Sequence, residues 1–509
     1  MKKISSLLFH RMGVVVLAML LQMATLIVAI VGFGNHFVEF YGICIAISIF
    51  AVLCIVGDNS NPAYKIAWIV PILLVPVFGG LLYLAFGGNK LSRKKKKNLH
   101  TMEDRMVAAL GPDLKSDTLR ERAGLTAANM SRYIEESAHC PVYEHTAAEY
   151  YALGDDCFQP MLEALRSAEH YIFIEYFIIS SGVFWDSILE ILKEKAAQGV
   201  DVRVLYDDIG SMYTLPKKYA QQLEESGVHC AVFNRFVPML SALLNNRDHR
   251  KITVIDGKIA FTGGINLADE YVNQCVKYGH WKDSSIRLEG EAVWSMTIMF
   301  LTMWDFLHDT GEDYEQFRPQ FAARPQGTGW VQPYTDCPWD SEPVGETVYL
   351  NLISKAEQYV YITTPYLIID SAITTALVAA AKSGVDVRIM TPHVPDKRMI
   401  FEVTRAHYEA LLEGGVKIYE YTPGFVHGKN FAVDDKYGTV GSVNMDYRSM
   451  FLHFENGVWL CDVPAVLDIR RDFEKTLEQC QAVTLKQCRS LPFLQRLLRD
   501  VLRLFAPLM

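Results

Sequence analysis

The sequence predicts an α/β fold: two duplicated α/β sandwich domains that share one active-site cleft, preceded by N-terminal transmembrane helices. Three observations predict it. A short polar pattern, His-x-Lys-x4-Asp, occurs twice, from His249 through Lys251 to Asp256 and from His427 through Lys429 to Asp434. The apolar segments around the two copies recur in the same order, and three long apolar runs crowd the first ninety residues.

Residues 13–33 are polar only at Gln22 and Thr25, a length that can cross a bilayer. Residues 39–56 form a second run, and residues 66–87 a third, interrupted by Pro71, Pro76 and Gly79-Gly80. The first run is too long for the apolar region of a cleaved signal peptide, and a second follows closely, so it reads as an anchor. Lys90 and the cluster from Arg93 to Lys97 follow the third run, while Lys2, Lys3 and Arg11 precede the first. Both groups ask for the cytoplasmic side, and three crossings would separate them. The larger cluster outweighs the smaller, which places the remainder of the chain in the cytoplasm. Residues 1–90 are thus the membrane part. Residues 91–140 read as a polar connector whose basic start attracts anionic lipid at roughly 1 kcal/mol per Lys or Arg.

From residue 141 the chain repeats itself. The stretch from Ala168 to Ile174 returns as Ala356 to Ile362, Gly199 to Val204 returns as Gly384 to Ile389, and Gly227-Val228 returns as Gly415-Val416. Apolar β-branched and aromatic strands alternate with helical segments such as 187–197 and 372–383, the pattern of a sheet covered by helices. The two domains span 141–325 and 326–509. Packed face to face, they bring both polar motifs to one cleft, so each half carries half of a catalytic set.

In each motif the His and the Lys are two residues apart on a strand and share a face. An imidazole beside an ammonium suits a phosphate: one attacks or moves protons, the other neutralises the oxygens. Asp256 and Asp434 have the wrong parity for that face and lie at a turn, so within the candidate catalytic motif they take a supporting role. Asn266 and Asn444 each stand seventeen residues after the His, beyond Gly263-Gly264 or Gly441-Ser442. Their amides suit the same phosphate. Ser442 faces Gly264 in the other copy, an asymmetry of one hydroxyl.

Composition narrows the function. A net charge of −9 provides no global basic field for nucleic acid. Ten cysteines without a C-x-x-C pair, and fourteen histidines without H-E-x-x-H, support neither a disulfide framework nor a metal site or other cofactor. Near the C-terminus, Leu494, Leu497, Leu498, Val501, Leu502 and Phe505 recur at helical spacing with Arg496, Arg499 and Arg503 between them. Such a basic amphipathic helix is suited to a membrane interface.

The doubled motif resembles the phospholipase D superfamily, whose members bring two such motifs to one active site, and the resemblance runs from about residue 141 to the C-terminus. Trp68, Pro76, Gly79, Tyr83 and Gly87 resemble the membrane hairpin that precedes the catalytic part of bacterial cardiolipin synthases. The resemblance implies a multi-pass enzyme of the bacterial inner membrane that joins two phosphatidylglycerols into cardiolipin, releasing glycerol, through a phosphohistidine. It implies His249 as nucleophile and His427 as acid and base, an assignment the near-symmetry leaves reversible. Lys251, Lys429, Asn266, Ser442 and Asn444 would hold the phosphate, and Asp283 and Glu455 would each hold an imidazole by its second nitrogen. A phospholipase D hydrolase or a phosphatidylserine synthase shares the chemistry and differs in the acceptor. An inactive scaffold is the rival of another class, and intact His and Lys in both copies oppose it.

Overall fold

A computed structural model describes residues 37–58, 61–74, 93–111, 115–236, 245–323, 325–340 and 342–508, with isolated positions before residue 84. The chain divides into two compact units: residues 1–91 with 235–245 and 504–509, and residues 92–234 with 246–503.

In the first unit, α1 (Phe37–Gly57) and α2 (Pro62–Leu74) pack through Ala51, Ile55 and Ile72. Pro62 opens α2, where its missing N–H is no loss, and Asn61 Oδ1 accepts from Ala63 N at 2.9 Å. Val38, Ile43, Ile49, Phe50, Leu53 and Val56 of α1 are exposed. Among the described residues no helix is long and apolar enough to cross a membrane. The run at 39–56 falls on α1. The run at 13–33, and the third run beyond Leu74, lie almost wholly outside the described residues.

The second unit opens with α3 (Arg93–Leu110), α4 (Ser116–Ala123) and α5 (Leu125–Ala138). The segment read as a connector is part of the packed unit: Met106, Leu119, Ala127, Met130 and Ile134 join its main core. Scattered Ala, Met, Leu and Ile side chains do this packing among many polar residues, which is why no strong apolar stripe marks the stretch.

Two sheets follow. The first holds β1 (Thr146–Tyr151), β2 (Tyr171–Tyr176), β3 (Asp201–Asp207), β4 (His229–Phe233), β5 (Lys251–Ile255), β6 (Ile259–Gly263) and β7 (Ser285–Gly290). Its order is β1-β7-β6-β5-β2-β3-β4. The second holds β8 (Trp330–Asp336), β9 (Tyr359–Thr363), β10 (Asp386–Pro392), β11 (Lys417–Tyr421), β12 (Asn430–Val433), β13 (Tyr437–Gly441), β14 (His453–Cys461) and β15 (Cys480–Ala482). Its order is β8-β14-β13-β12-β9-β10-β11-β15. Position by position the two orders agree, with β15 added at one edge, so the sequence repeat is a repeat of topology. The central strands β2 and β9 are buried throughout, as expected for β-branched and aromatic strands covered on both faces. Helix α6 (Val293–His308) buries every residue from Val293 to Trp304, the signature of a helix surrounded by protein.

The halves also exchange short strands. Arg247-Asp248, just before the first motif, pairs in parallel with His453-Phe454 of β14. Gly424–Val426, just before the second motif, pairs in parallel with His280–Lys282.

Candidate active site

Each polar motif begins where its exchanged strand ends. Asp248 is paired with Phe454, so His249 comes level with Glu455; Val426 is paired with Lys282, so His427 comes level with Asp283. Two backbone bonds fasten the crossings, His249 N to Phe454 O at 2.9 Å and His427 N to Lys282 O at 2.7 Å.

The side chains follow that register. His249 Nδ1 lies 2.9 and 3.0 Å from the two carboxylate oxygens of Glu455. His427 Nδ1 lies 2.6 Å from Asp283 Oδ2. Each imidazole is therefore held by the acid of the opposite half. With Nδ1–H donated to a carboxylate, Nε2 is left as the basic nitrogen, and the ring is fixed in orientation. The carboxylates are wholly buried, and both imidazoles nearly so.

Lys251 and Lys429 are buried beside them. Lys251 Nζ donates to His249 O at 2.6 Å, and Lys429 Nζ donates to His427 O and stands 2.8 Å from His427 Nδ1. Burial is the largest influence on all four groups. It brings Lys251 down to about 7 and Lys429 down to about 8, with Glu455 and Asp283 opposing. His249 is pushed well below the usual imidazole range by burial and then by the charges of Lys251 and Lys429. His427 is lowered to about 4 by burial and Lys429, against the pull of Asp283. The free site thus keeps two neutral imidazoles beside two ammonium groups that surrender protons near neutrality.

Asp256 and Asp434 do other work. Both sit at hairpin turns with positive φ, 51° and 54°. Asp256 accepts backbone N–H bonds from Glu169, His170 and Tyr171, each at 2.8 Å. Asp434 accepts the corresponding three from Glu357, Gln358 and Tyr359 at 2.7 to 2.8 Å. Each carboxylate ties its hairpin to the entry of the neighbouring central strand, β2 or β9, and does not bond an imidazole.

The residues expected to hold phosphate divide. Asn266 Oδ1 accepts from Ile178 N at 3.0 Å, whereas the buried Asn444 Oδ1 has no partner among the described residues. Ser442 is not free to bind phosphate through its proton: its hydroxyl donates to Glu455 Oε2 and accepts from Asn456 N at 3.0 Å. Gly264 occupies the matching place, and a Cβ there would stand 2.1 Å from Asp283 Oδ1. The shorter acid presses against bare backbone, while the longer one is met by a serine hydroxyl. That is the reason for the asymmetry between the copies.

Aromatic walls complete the site. Phe177 stands edge-on to His249, with ring centroids 5.0 Å apart, and Tyr271 edge-on to His427 at 5.4 Å. Two residues before each acid, the halves diverge: the His453 ring lies 5.4 Å from that of His249, and the Trp281 ring lies 5.5 Å from that of His427. Phe177, Tyr271 and His453 carried no sequence signal as site residues. For His453 the only available hint was its position two residues before Glu455.

The architecture and site have relatives. The family described as cardiolipin synthase, PLD-like domain, matches residues 161–285 and 349–477, and the phospholipase D-nuclease N-terminal family matches residues 46–88. An uncharacterised protein of Streptococcus mutans is 42% identical over 467 residues, covering 90% of this chain and 99% of its own. A cardiolipin synthase of Halalkalibacterium halodurans is 34% identical over 468 residues, covering 91% of this chain and 92% of its own. Among solved structures, a phosphatidylserine synthase of Haemophilus influenzae matches with a TM-score of 0.58 at 15% identity, covering 75% of this chain and 100% of its own. That last likeness concerns the fold.

Proposed function

The chain belongs to the cardiolipin synthase family of phospholipase D-like proteins, and from that premise we propose how its residues divide the work through a phosphohistidine. It is a phosphatidyltransferase: one phosphatidylglycerol gives its phosphatidyl group to another, yielding cardiolipin and glycerol. The observation that carries the site reading is the exchange of carboxylates, His249 with Glu455 and His427 with Asp283.

In the first step His249 Nε2 attacks phosphorus as the bond to the glycerol oxygen breaks. His427 Nε2 gives its proton to that oxygen, and glycerol leaves. In the second step a glycerol hydroxyl of another phosphatidylglycerol loses its proton to His427 and attacks phosphorus. The P–N bond breaks and His249 is regenerated. Glu455 supports the first imidazole as it gains charge, and Asp283 supports the second as it cycles its proton. The anionic phosphodiester favours the protonated form of His427, which burial disfavours in the free site. Lys251 and Lys429, with the amide N–H groups of Asn266 and Asn444, meet the charge that grows on the phosphoryl oxygens.

The family implies membrane association. The finer reading is a multi-pass anchor with the catalytic unit in the cytoplasm. A second attachment is the C-terminal helix α7 (Phe493–Phe505), whose apolar residues Phe493, Leu494, Leu497, Leu498 and Val501 are exposed.

Purified enzyme supplied with phosphatidylglycerol alone should release cardiolipin and glycerol in equal amounts. Phosphatidic acid as the only product would make it a hydrolase. A labelled phosphatidyl donor with an activated leaving group, quenched rapidly, should label the peptide containing His249. Label on the His427 peptide alone would reverse the two roles. Inversion at a chiral phosphorus, with no adduct, would defeat the covalent mechanism.

A further inference from the structure

His453 has no part in the mechanism above, and its environment asks for an explanation. It is buried, 8% exposed, and neither ring nitrogen has a hydrogen-bond partner among the described residues. An imidazole desolvated without a partner costs stability, which an ordinary core position would avoid by carrying an apolar residue. Its Nδ1 lies 3.6 Å from Glu455 Oε1, the oxygen that is itself 2.9 Å from His249 Nδ1.

We propose that His249, His453 and Glu455 form a binding site for a divalent transition-metal ion such as Zn2+, and that its occupation inhibits the enzyme. The three side chains offer ligand atoms that lie within 4.8 Å of one another. Two imidazoles and one carboxylate are a donor set that Zn2+ accepts with its fourth position open. Phe177 flanks both rings, at 5.0 Å from His249 and 6.5 Å from His453. No pattern within one segment announces the set, because His249 comes from the first half and the other two from β14. The second imidazole has no matching site: Trp281 takes the equivalent place beside His427, and an indole offers an N–H donor but no ligand.

Inhibition follows from which nitrogen is engaged and rests on His249 being the nucleophile. A metal on Nδ1 leaves the proton of a neutral imidazole on Nε2, the nitrogen that must attack phosphorus. It also takes up the Glu455 oxygen that otherwise steadies the ring. The nearby Lys251 and Lys429 oppose a dication, and Asp283 only partly offsets them, so the site binds more weakly than a structural zinc centre.

The test uses the full-length enzyme in detergent, stripped with EDTA and then freed of it. Zn2+ alone is titrated against cardiolipin formation, and binding is measured separately by competition with a chromophoric chelator. Wild type should bind one Zn2+, lose activity as it binds, and recover with EDTA. His453→Gln, with each protein read against its own metal-free activity, should weaken Zn2+ in both assays by ~10-fold or more. Equal Zn2+ sensitivity in His453→Gln, or no binding by wild type, would overturn the proposal. Should His453→Gln lack activity, the chelator competition decides alone. Zn2+ binding that depends on His453 without any loss of activity would retain the site, and would fail the assignment of His249 rather than the ligand set.

Discussion

Glu455, from the second half of the chain, meets the Nδ1 of His249, from the first, at 2.9 Å. The meeting is dictated by the parallel pairing of Arg247-Asp248 with His453-Phe454 one step earlier. The same exchange in reverse sets Asp283 against His427 at 2.6 Å. Neither half can orient its own imidazole, so a single half should be inactive even when folded.

Coupling should therefore run across the halves. Glu455→Gln and Asp283→Asn should each lower kcat by roughly 10²–10⁴, the scale seen when an imidazole loses its orienting carboxylate. In double-mutant cycles Glu455→Gln should be strongly non-additive with His249→Ala and closer to additive with His427→Ala. The opposite pattern would mean that each acid serves the His of its own half.

The lysines predict both a rate loss and a pH limb. Lys251→Ala and Lys429→Ala should each reduce kcat by about 10²–10³, the usual loss for one donor aimed at developing charge. Burial lowers Lys251 to about 7 and Lys429 to about 8, so their cationic forms disappear as pH rises through that window. The ratio kcat/KM, which reports free enzyme, should fall more steeply above about pH 7, beyond the decline that the need for protonated His427, lowered to about 4, already imposes. The limb for kcat should lie higher, because the bound phosphodiester anion favours the ammonium form. Coincident limbs would mean that neither lysine touches the phosphate.

Asp256 and Asp434 separate stability from chemistry. Each accepts three backbone N–H bonds, partly or fully buried at Asp256 and mostly exposed at Asp434; a buried donor left unpaired costs about 1–3 kcal/mol and an exposed one less, since water replaces the lost partner. Asp256→Ala should lower the thermal unfolding temperature by several degrees and Asp434→Ala by less, while folded enzyme keeps kcat within a few-fold of wild type in both. A loss of kcat as large as for the lysine variants, in stably folded protein, would restore a direct catalytic role.

Much of this was legible in the sequence, and the boundary is physical. The duplication could be read because strands such as β2 and β9 are buried on both faces and repeat their apolar pattern. The His-x-Lys face was readable from strand parity. The partner of each imidazole was not, since Asp283 and Glu455 follow both motifs at similar distances and only the strand exchange between halves selects between them. The bond from Ser442 to Glu455 was not legible, because the two lie thirteen residues apart in sequence. The packing of α4 and α5 was hidden because each helix spreads only a few apolar residues among polar and charged ones.

Gly264 and Ser442 give a further test of the asymmetry. Gly264→Ser would make the copies alike in sequence, but its Cβ would stand 2.1 Å from Asp283 Oδ1 and displace the acid. Its kcat should fall nearly as far as that of Asp283→Asn. Ser442→Ala removes one hydrogen bond from Glu455 and should cost roughly tenfold, near the low end of the ~1.5–3 kcal/mol of a bond to a charged group. Equal tolerance of both changes would show that the acids are not held where the backbone and hydroxyl place them.

The C-terminal helix presents its faces in an unusual order. A soluble helix turns its leucines to the core, but α7 exposes Phe493 by 80%, Leu494 by 76% and Leu498 by 52%, and buries Arg499. Its arginines are engaged by the catalytic unit: Arg499 Nε with Glu402 at 2.7 Å, and Arg496 with Glu409 at 3.0 Å. Arg496 and Arg499 are thus committed to glutamates, and it is apolar area that the outer face offers to lipid. Leu494→Ser with Leu498→Ser should therefore lower activity on phosphatidylglycerol bilayers several-fold and leave activity on detergent-dispersed lipid near wild type. A fluorophore on a cysteine at position 498 of the reconstituted enzyme should be quenched by nitroxide-labelled lipid. Equal losses in both assays with no quenching would make the exposed face a contact for protein rather than for the bilayer.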